Sequence, residues 1–145
     1  MLASFEIENF RCIRHACVEL DAHGTGIVGP NASGKTSFLE AVYFLAHGRS
    51  FRTNVRTRLV GPAQATCRLI STLDLDRRRV VAGAEFGEAG MRVRVAGREE
   101  SSISAVADLL PVQIIDPGVH RLVEEGSARR RRLLDWGVFH VEHGL

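Results

Sequence analysis

Lysine is almost missing from this chain. Of its 19 basic residues one is lysine, Lys35, and the others are arginine. A coding bias toward arginine explains the general pattern. Under such a bias, a retained lysine marks a place where a compact, flexible ammonium is wanted and a planar guanidinium would not serve. Cysteine is also scarce: Cys12, Cys17 and Cys67 are odd in number and fit no zinc-ligand spacing, which favours reduced thiols over a disulfide framework or a metal site. No apolar run approaches the roughly 20 residues that span a bilayer. The N-terminus alternates Phe5 and Ile7 with Glu6 and Glu8, without the basic-then-apolar layout of a secretory leader. The expectation is a cytoplasmic protein with no membrane partner. A net charge of +2 is too small to argue for nucleic acid by itself. With 145 residues, 45% hydrophobic and 25% charged, the chain has the size and make-up of one ordinary domain.

The hydrophobic period changes along the chain. Residues 3–10 alternate as a half-buried strand with Phe5 and Ile7 on one face, and residues 16–20 repeat the pattern with Ala16, Val18 and Leu20. A turn at Asp21–Gly24 leads to a short strand, Thr25–Val28. From Lys35 to His47 the period becomes helical, with Phe38, Ala41, Val42 and Leu45 in one stripe widened by Leu39 and Ala46, and Gly48 placed to end the helix. Arg49, Arg52 and Arg56 continue at helical spacing. After Gly61-Pro62 the pattern returns to antiparallel strands: Cys67 to Asp74, Val80 to Phe86 and Met91 to Val95, with a turn over 76–79. A helix over 102–110, with Ile103, Val106, Ala107 and Leu110 inward, stops at Pro111. A buried strand, Val112–Ile115, then ends at Asp116-Pro117, and Gly118–Phe139 reads as one or two helices.

The strongest chemical signal is Gly29-Pro30-Asn31-Ala32-Ser33-Gly34-Lys35-Thr36, followed by Ser37. It fits the phosphate-loop pattern G-x-x-x-x-G-K-[ST], set between an expected strand and an expected helix. Gly29 and Gly34 allow backbone angles and a close approach that a side chain would block. Loop amides and the helix N-terminus make an anion nest for a β-phosphate. Lys35 is placed to bridge β- and γ-phosphates and Thr36 to put its hydroxyl on Mg²⁺, so ATP and Mg²⁺ are the expected cofactors. Hydrolysis needs a further carboxylate at the end of a buried strand. Asp116 has that position, although an Asp before Pro also simply starts a turn.

Three blocks carry a family resemblance. Glu8-Asn-Phe-Arg-Cys-Ile13, the loop with Phe38-Leu-Glu-Ala-Val42, and His47-Gly-Arg-Ser-Phe-Arg52 resemble the N-terminus of the RecF family, DNA replication and repair proteins of the ABC/SMC-like ATPase group. Arg130-Arg131-Arg132-Leu-Leu-Asp135 with Trp136-Gly and Phe139-His140 is similar to a later signature of the same family. The resemblance implies an α/β (α+β) P-loop NTPase head lobe of ABC type with an antiparallel β-rich subdomain, incomplete at its C-terminus. It divides the chain into a P-loop lobe (1–60), a β-rich subdomain (61–100) and a helical segment (101–145). It further implies binding of ATP and of single-stranded or gapped duplex DNA, RecO- and RecR-type mediator partners, ATP-dependent homodimerisation, and roles in replication, recombinational repair and the SOS response. Gly118 departs from the acidic residue that usually follows the proline, and the segment around Glu124–Ser127 is irregular. The family's Walker B and signature motifs lie beyond Leu145, so the expectation is a head that binds ATP without hydrolysing it efficiently, and Asp116 is not the Walker B residue in that alignment.

The remaining candidates each have a plainer reading. Arg11, by resemblance to SMC-like heads, reaches nucleotide phosphates; otherwise it is a solvated strand-end charge. Arg49 and Arg52 are candidates for DNA or partner contact, or for a solvated helix face. In the run Arg129–Arg132 no more than two residues can serve one surface, and Arg130 and Arg131 are the candidates. Trp136 and Phe139 read as core, and the histidines show no ligand spacing. Two competing readings stay open: a small self-contained nucleotide kinase using Asp116 for magnesium, and a non-catalytic interaction fragment.

Overall fold

In a computed structural model of the chain, the structure describes residues 1–75 and 78–115 together with Arg131, Asp135 and Val138. Two compact units are present, Met1–Val112 and Gln113–Leu145. In the second, Arg131, Asp135 and Val138 are helical and exposed, and Gln113–Ile115 is non-regular.

The first unit is one six-stranded sheet with a helix on one face. The strands are β1 (Leu2–Phe10), β2 (Ile13–Glu19), β3 (Thr66–Leu75), β4 (Arg78–Gly87), β5 (Gly90–Val95) and β6 (Arg98–Glu100), in the order β2-β1-β3-β4-β5-β6. Every neighbouring pair is antiparallel. Because β1 pairs with β3, the sheet runs unbroken across the boundary drawn from sequence at residues 60 and 61. The short β6 is missing from the sequence reading. Ala96 and Gly97, both at positive φ (50° and 80°), supply the tight hairpin that turns β5 into it.

Alternation sorts the two faces. Phe5, Ile7, Cys67, Leu69, Leu73, Ala82, Ala84, Phe86 and Val93 are buried on the inner face. On the outer face one cross-strand row reads His15, Glu8, Arg68, Glu85, Arg92, with alternating charge across β1 to β5. Asn9, at φ 57°, breaks the alternation and brings Phe10 round to the buried side, which strict period-two counting cannot show.

Helix α1 (Lys35–His47) lies on the inner face through aromatic contacts. Phe38 meets Phe5 edge-on at 5.7 Å, and Phe44 sits 6.5 Å from Phe10 and 4.5 Å from Phe86. Its buried side is Ser37, Phe38, Glu40, Ala41, Phe44, Leu45 and Ala46, so the stripe is rotated from the expected one: Leu39 is 53% exposed and Glu40 is inside.

Four further expectations are corrected. Thr25–Val28 forms no strand; none of the described residues pairs with it, and Val28 is 91% exposed. Val112–Ile115 is likewise no strand, and Ile115 is 84% exposed. Apolar residues alone do not make a strand without a ladder to join. The arginine stretch after α1 is not helical at Arg49 and Arg52, and only Arg56–Leu59 closes a 3-10 turn. The helix expected over 102–110 contracts to α2 (Ser104–Ala107), with Val106 and Leu110 buried as expected.

Candidate functional site

The site is built on the N-terminal end of α1. Intrahelical bonding begins with Phe38 N–H donating to Gly34 O at 2.8 Å, so the amides of Lys35, Thr36 and Ser37 leave the helix end without an acceptor inside it. Gly34 holds the cap position at φ 98°, no side chain caps it, and the first turn carries no acidic residue. A helix end left this way concentrates amide donors and the positive end of the macrodipole, which suits an anion.

The loop in front of it is shaped by close approach. A Cβ on Gly29 would meet Ser33 Oγ at 2.8 Å, and one on Gly34 would meet Ile13 Cγ1 at 3.3 Å and Cys12 Sγ at 3.5 Å. Ala32 is at φ 64°, and an alternation of this kind turns successive amides toward one side. Lys35 Nζ donates to the carbonyls of Gly29 (2.8 Å) and Pro30 (2.6 Å), which folds the ammonium over the loop. Thr36 is exposed. Ser37 differs: it is buried, and its Oγ lies 3.7 Å from Cys12 Sγ, so its hydroxyl is taken up by the β1–β2 turn. The loop residues Pro30, Asn31, Ala32 and Ser33 are exposed. These residues fit a nucleotide polyphosphate with its Mg²⁺.

Arg11 is engaged rather than a free strand-end charge, at the second turn of α1. Its Nε donates to Glu40 Oε2 at 3.0 Å and its Nη2 to Glu40 Oε1 at 2.6 Å, a two-toothed pair, while Nη1 reaches Arg58 O at 3.2 Å. Arg52 Nη1 contacts the same carboxylate at 3.3 Å, and Ser50 Oγ donates to it as well. Ser50 Oγ also accepts from the amides of Arg52 (2.9 Å) and Thr53 (3.1 Å), so the His47–Arg52 block closes as a turn around Glu40. Burial acts to raise the pKa of Glu40. The hydrogen bonds from Arg11 and Ser50 and the charges of Arg11 and Arg52 outweigh it and hold the carboxyl below its ordinary value of 4.5.

Arg49 is exposed. Asp116, Gly118 and Arg130 lie outside the described residues, as do Trp136 and Phe139; Arg131 is helical and exposed. Glu40 is what the sequence reading missed. Its signal was there: it stands on the helix face of Ala41 and Phe44, where a charge needs partners, with Ser50 and Arg52 nearby in sequence.

Comparison with known proteins decides the family. Residues 1–87 match the family model described as the AAA ATPase domain. This chain belongs to that family. Over 142 residues it is 38% identical to the DNA replication and repair protein RecF of Shewanella sp. strain MR-4, and over 143 residues 38% identical to that of Shewanella baltica strain OS155. Each alignment covers 97% of this chain and 39% of the relative, so the chain spans about two fifths of the length of the curated relatives it matches. A solved structure of the recombination mediator RecF with ATP, from the RecFOR pathway, superposes with a TM-score of 0.82 at 24% identity, covering 98% of this chain and 40% of that one. An SMC head domain from Thermotoga maritima gives 0.62 at 16% identity over 74% of this chain and 41% of its own. The RecF resemblance and the ABC-type head fold expected from sequence both hold. Among the described residues no helix is long and apolar enough to cross a membrane.

Proposed function

We propose that this chain is a RecF-like head that binds Mg–ATP at Gly29–Ser37 in a DNA replication and repair protein. The observation that carries the reading is the uncapped end of α1, with Gly34 as its cap residue and Lys35 folded over the loop. The amides of Lys35, Thr36 and Ser37 would hold phosphate oxygens, the Lys35 ammonium would neutralise charge between phosphates, and the Thr36 hydroxyl would ligate Mg²⁺. Bound Mg²⁺ supplies further charge neutralisation on the phosphates. Arg11 would lend a second cation from the β1–β2 turn.

Binding is separated from turnover in this reading. Glu40, the buried carboxylate of the described residues, is held by two arginines and a serine and is not available to activate water. Slow hydrolysis by this chain is therefore part of the proposal. The relatives' names, a DNA replication and repair protein and a recombination mediator, support a wider role in replication and recombinational repair; a place in the cytoplasm and in the SOS response is part of the same proposal. Its partners there are single-stranded or gapped duplex DNA, RecO- and RecR-type mediators and a second head. Arg49, Arg52, Arg130 and Arg131 are the proposed contacts for DNA or a partner. The kinase alternative loses ground because the sheet is antiparallel throughout, whereas such a kinase expects a parallel one.

Calorimetric titration of the chain with Mg–ATP tests the reading. Saturable binding that Lys35→Ala abolishes is the expected result; no saturation at millimolar nucleotide would overturn it.

A further inference from the structure

The β1–β2 turn lies along the first two turns of α1 in three steps. Ile13 packs at Gly34, Cys12 Sγ faces Ser37 Oγ, and Arg11 grips Glu40. Positions 34, 37 and 40 recur every three residues and so share one helix face. The turn itself is anchored, with Arg11 N–H donating to Leu59 O (2.7 Å) and Gly61 N–H donating to Asn9 O (2.7 Å). Asn9 and Arg11 both hold positive φ, at 57° and 55°, so its backbone is tightly specified.

On the far side of the same carboxylate stands the segment after α1. Arg52 reaches Glu40 through one contact at 3.3 Å and its side chain is 47% exposed; Arg11 makes two contacts, at 3.0 and 2.6 Å, and its side chain is 22% exposed. Two guanidiniums therefore share one fully buried carboxylate, with Ser50 as a third donor. A carboxylate in that position cannot be left uncompensated, so what one arginine gives up the other donors must take up.

We infer that Glu40 is a positioning residue that couples the nucleotide loop to the turn at Ser50–Thr53, by sharing its carboxylate between Arg11 and Arg52. When Arg11 turns part of its fork toward an anion at the loop, Glu40 draws Arg52 closer from its single 3.3 Å contact, while Ser50 stays on the carboxylate. The turn then tightens, because Ser50 Oγ also holds the amides of Arg52 and Thr53. The exposed Arg49 and Arg52 thus report the state of a loop they do not touch. This coupling rests on the proposal that the loop binds nucleotide.

The test is amide hydrogen exchange at Arg52 and Thr53 in the full chain, with and without saturating Mg–ATP. The expected result is exchange slowed several-fold by nucleotide in the native sequence, and unchanged by nucleotide in Glu40→Gln. Arg11→Lys keeps the charge but removes the fork, and it should also abolish the response; it serves should Glu40→Gln not fold. If Mg–ATP binds in a Lys35-dependent way and these amides do not respond, the coupling is wrong and the nucleotide reading stands. A response that survives in Arg11→Lys overturns it equally. Absence of saturable binding in the native chain sinks both.

Discussion

The two ends of α1 are opposites. At the C-terminal end several devices for closing a helix are present. Gly48 takes the left-handed conformation at φ 67° and donates its N–H to Phe44 O, His47 contacts Val112 O at 2.9 Å, and Tyr43 stacks near His47 at 4.2 Å. At the N-terminal end there is no side-chain cap, a glycine in the cap position, and three outward amides. Relative to that glycine, a Ser or Asp in the cap would add roughly 0.3 kcal/mol to an isolated helix. The chain forgoes that at one end of a helix whose other end is closed with care. On the proposed reading the open end is kept for a nucleotide to complete, while packing supplies the stability that the cap does not.

Changes at the two ends should therefore separate binding from stability. The largest effect is expected from Phe44→Ala near the closed end. It removes a ring packed between Phe10 and Phe86, should cost ~3–5 kcal/mol by denaturant unfolding, and should spare Mg–ATP affinity wherever the protein remains folded. Next, Lys35→Ala at the open end should weaken Mg–ATP binding by at least ~100-fold, about 2.7 kcal/mol by calorimetry, with the thermal midpoint nearly unchanged. A large drop in midpoint would contradict the division between the ends.

Gly48→Ala should cost about 1–2 kcal/mol of stability, because it forces a side chain into the left-handed region and its Cβ would lie 2.6 Å from Ile103 Cγ2. Nucleotide affinity should not change. Acid provides a smaller probe of the region between the ends. The folded pKa of Glu40 is depressed, so its ion pairs with Arg11 and Arg52 contribute stability above the ordinary value of 4.5 and lose it as pH falls through the lower folded value. In a thermal series below pH 5 the native chain should lose midpoint faster than Glu40→Gln; parallel slopes would remove Glu40 from the account. The finest probe is alkylation without denaturant. Cys12 and Cys17 are exposed, whereas Cys67 is buried with its pKa pushed up to about 12, first by burial and then by Glu8. Mass spectrometry should show two labels on the folded chain and a third only after unfolding.

What was legible in the sequence was local. Period-two alternation marked Phe5 and Ile7, Cys67 and Leu69 as inward-facing, because a strand presents alternate residues whatever its partner. The loop spacing marked Lys35 and Thr36, because a phosphate cradle needs glycine at fixed offsets from the lysine. The reading failed where a residue's role depends on a distant segment. Val112–Ile115 has the composition of a buried strand and joins no strand among the described residues. Leu39 counted as core by spacing alone, yet the sheet meets α1 on the side that holds Glu40.

The sequence by itself therefore determined the inward faces of the longer strands, the phosphate-loop motif and the kinship to RecF, since each is written in residue types at short, fixed spacing. Only the tertiary structure decided that the strands form one continuous sheet, that α1 turns Glu40 inward, and that Arg11 and Arg52 meet on a single carboxylate. Those partners lie 29 and 12 residues away from it. Contacts at such separation depend on how the chain packs, and a buried charge is tolerated only once the packing has brought its counter-ions to it.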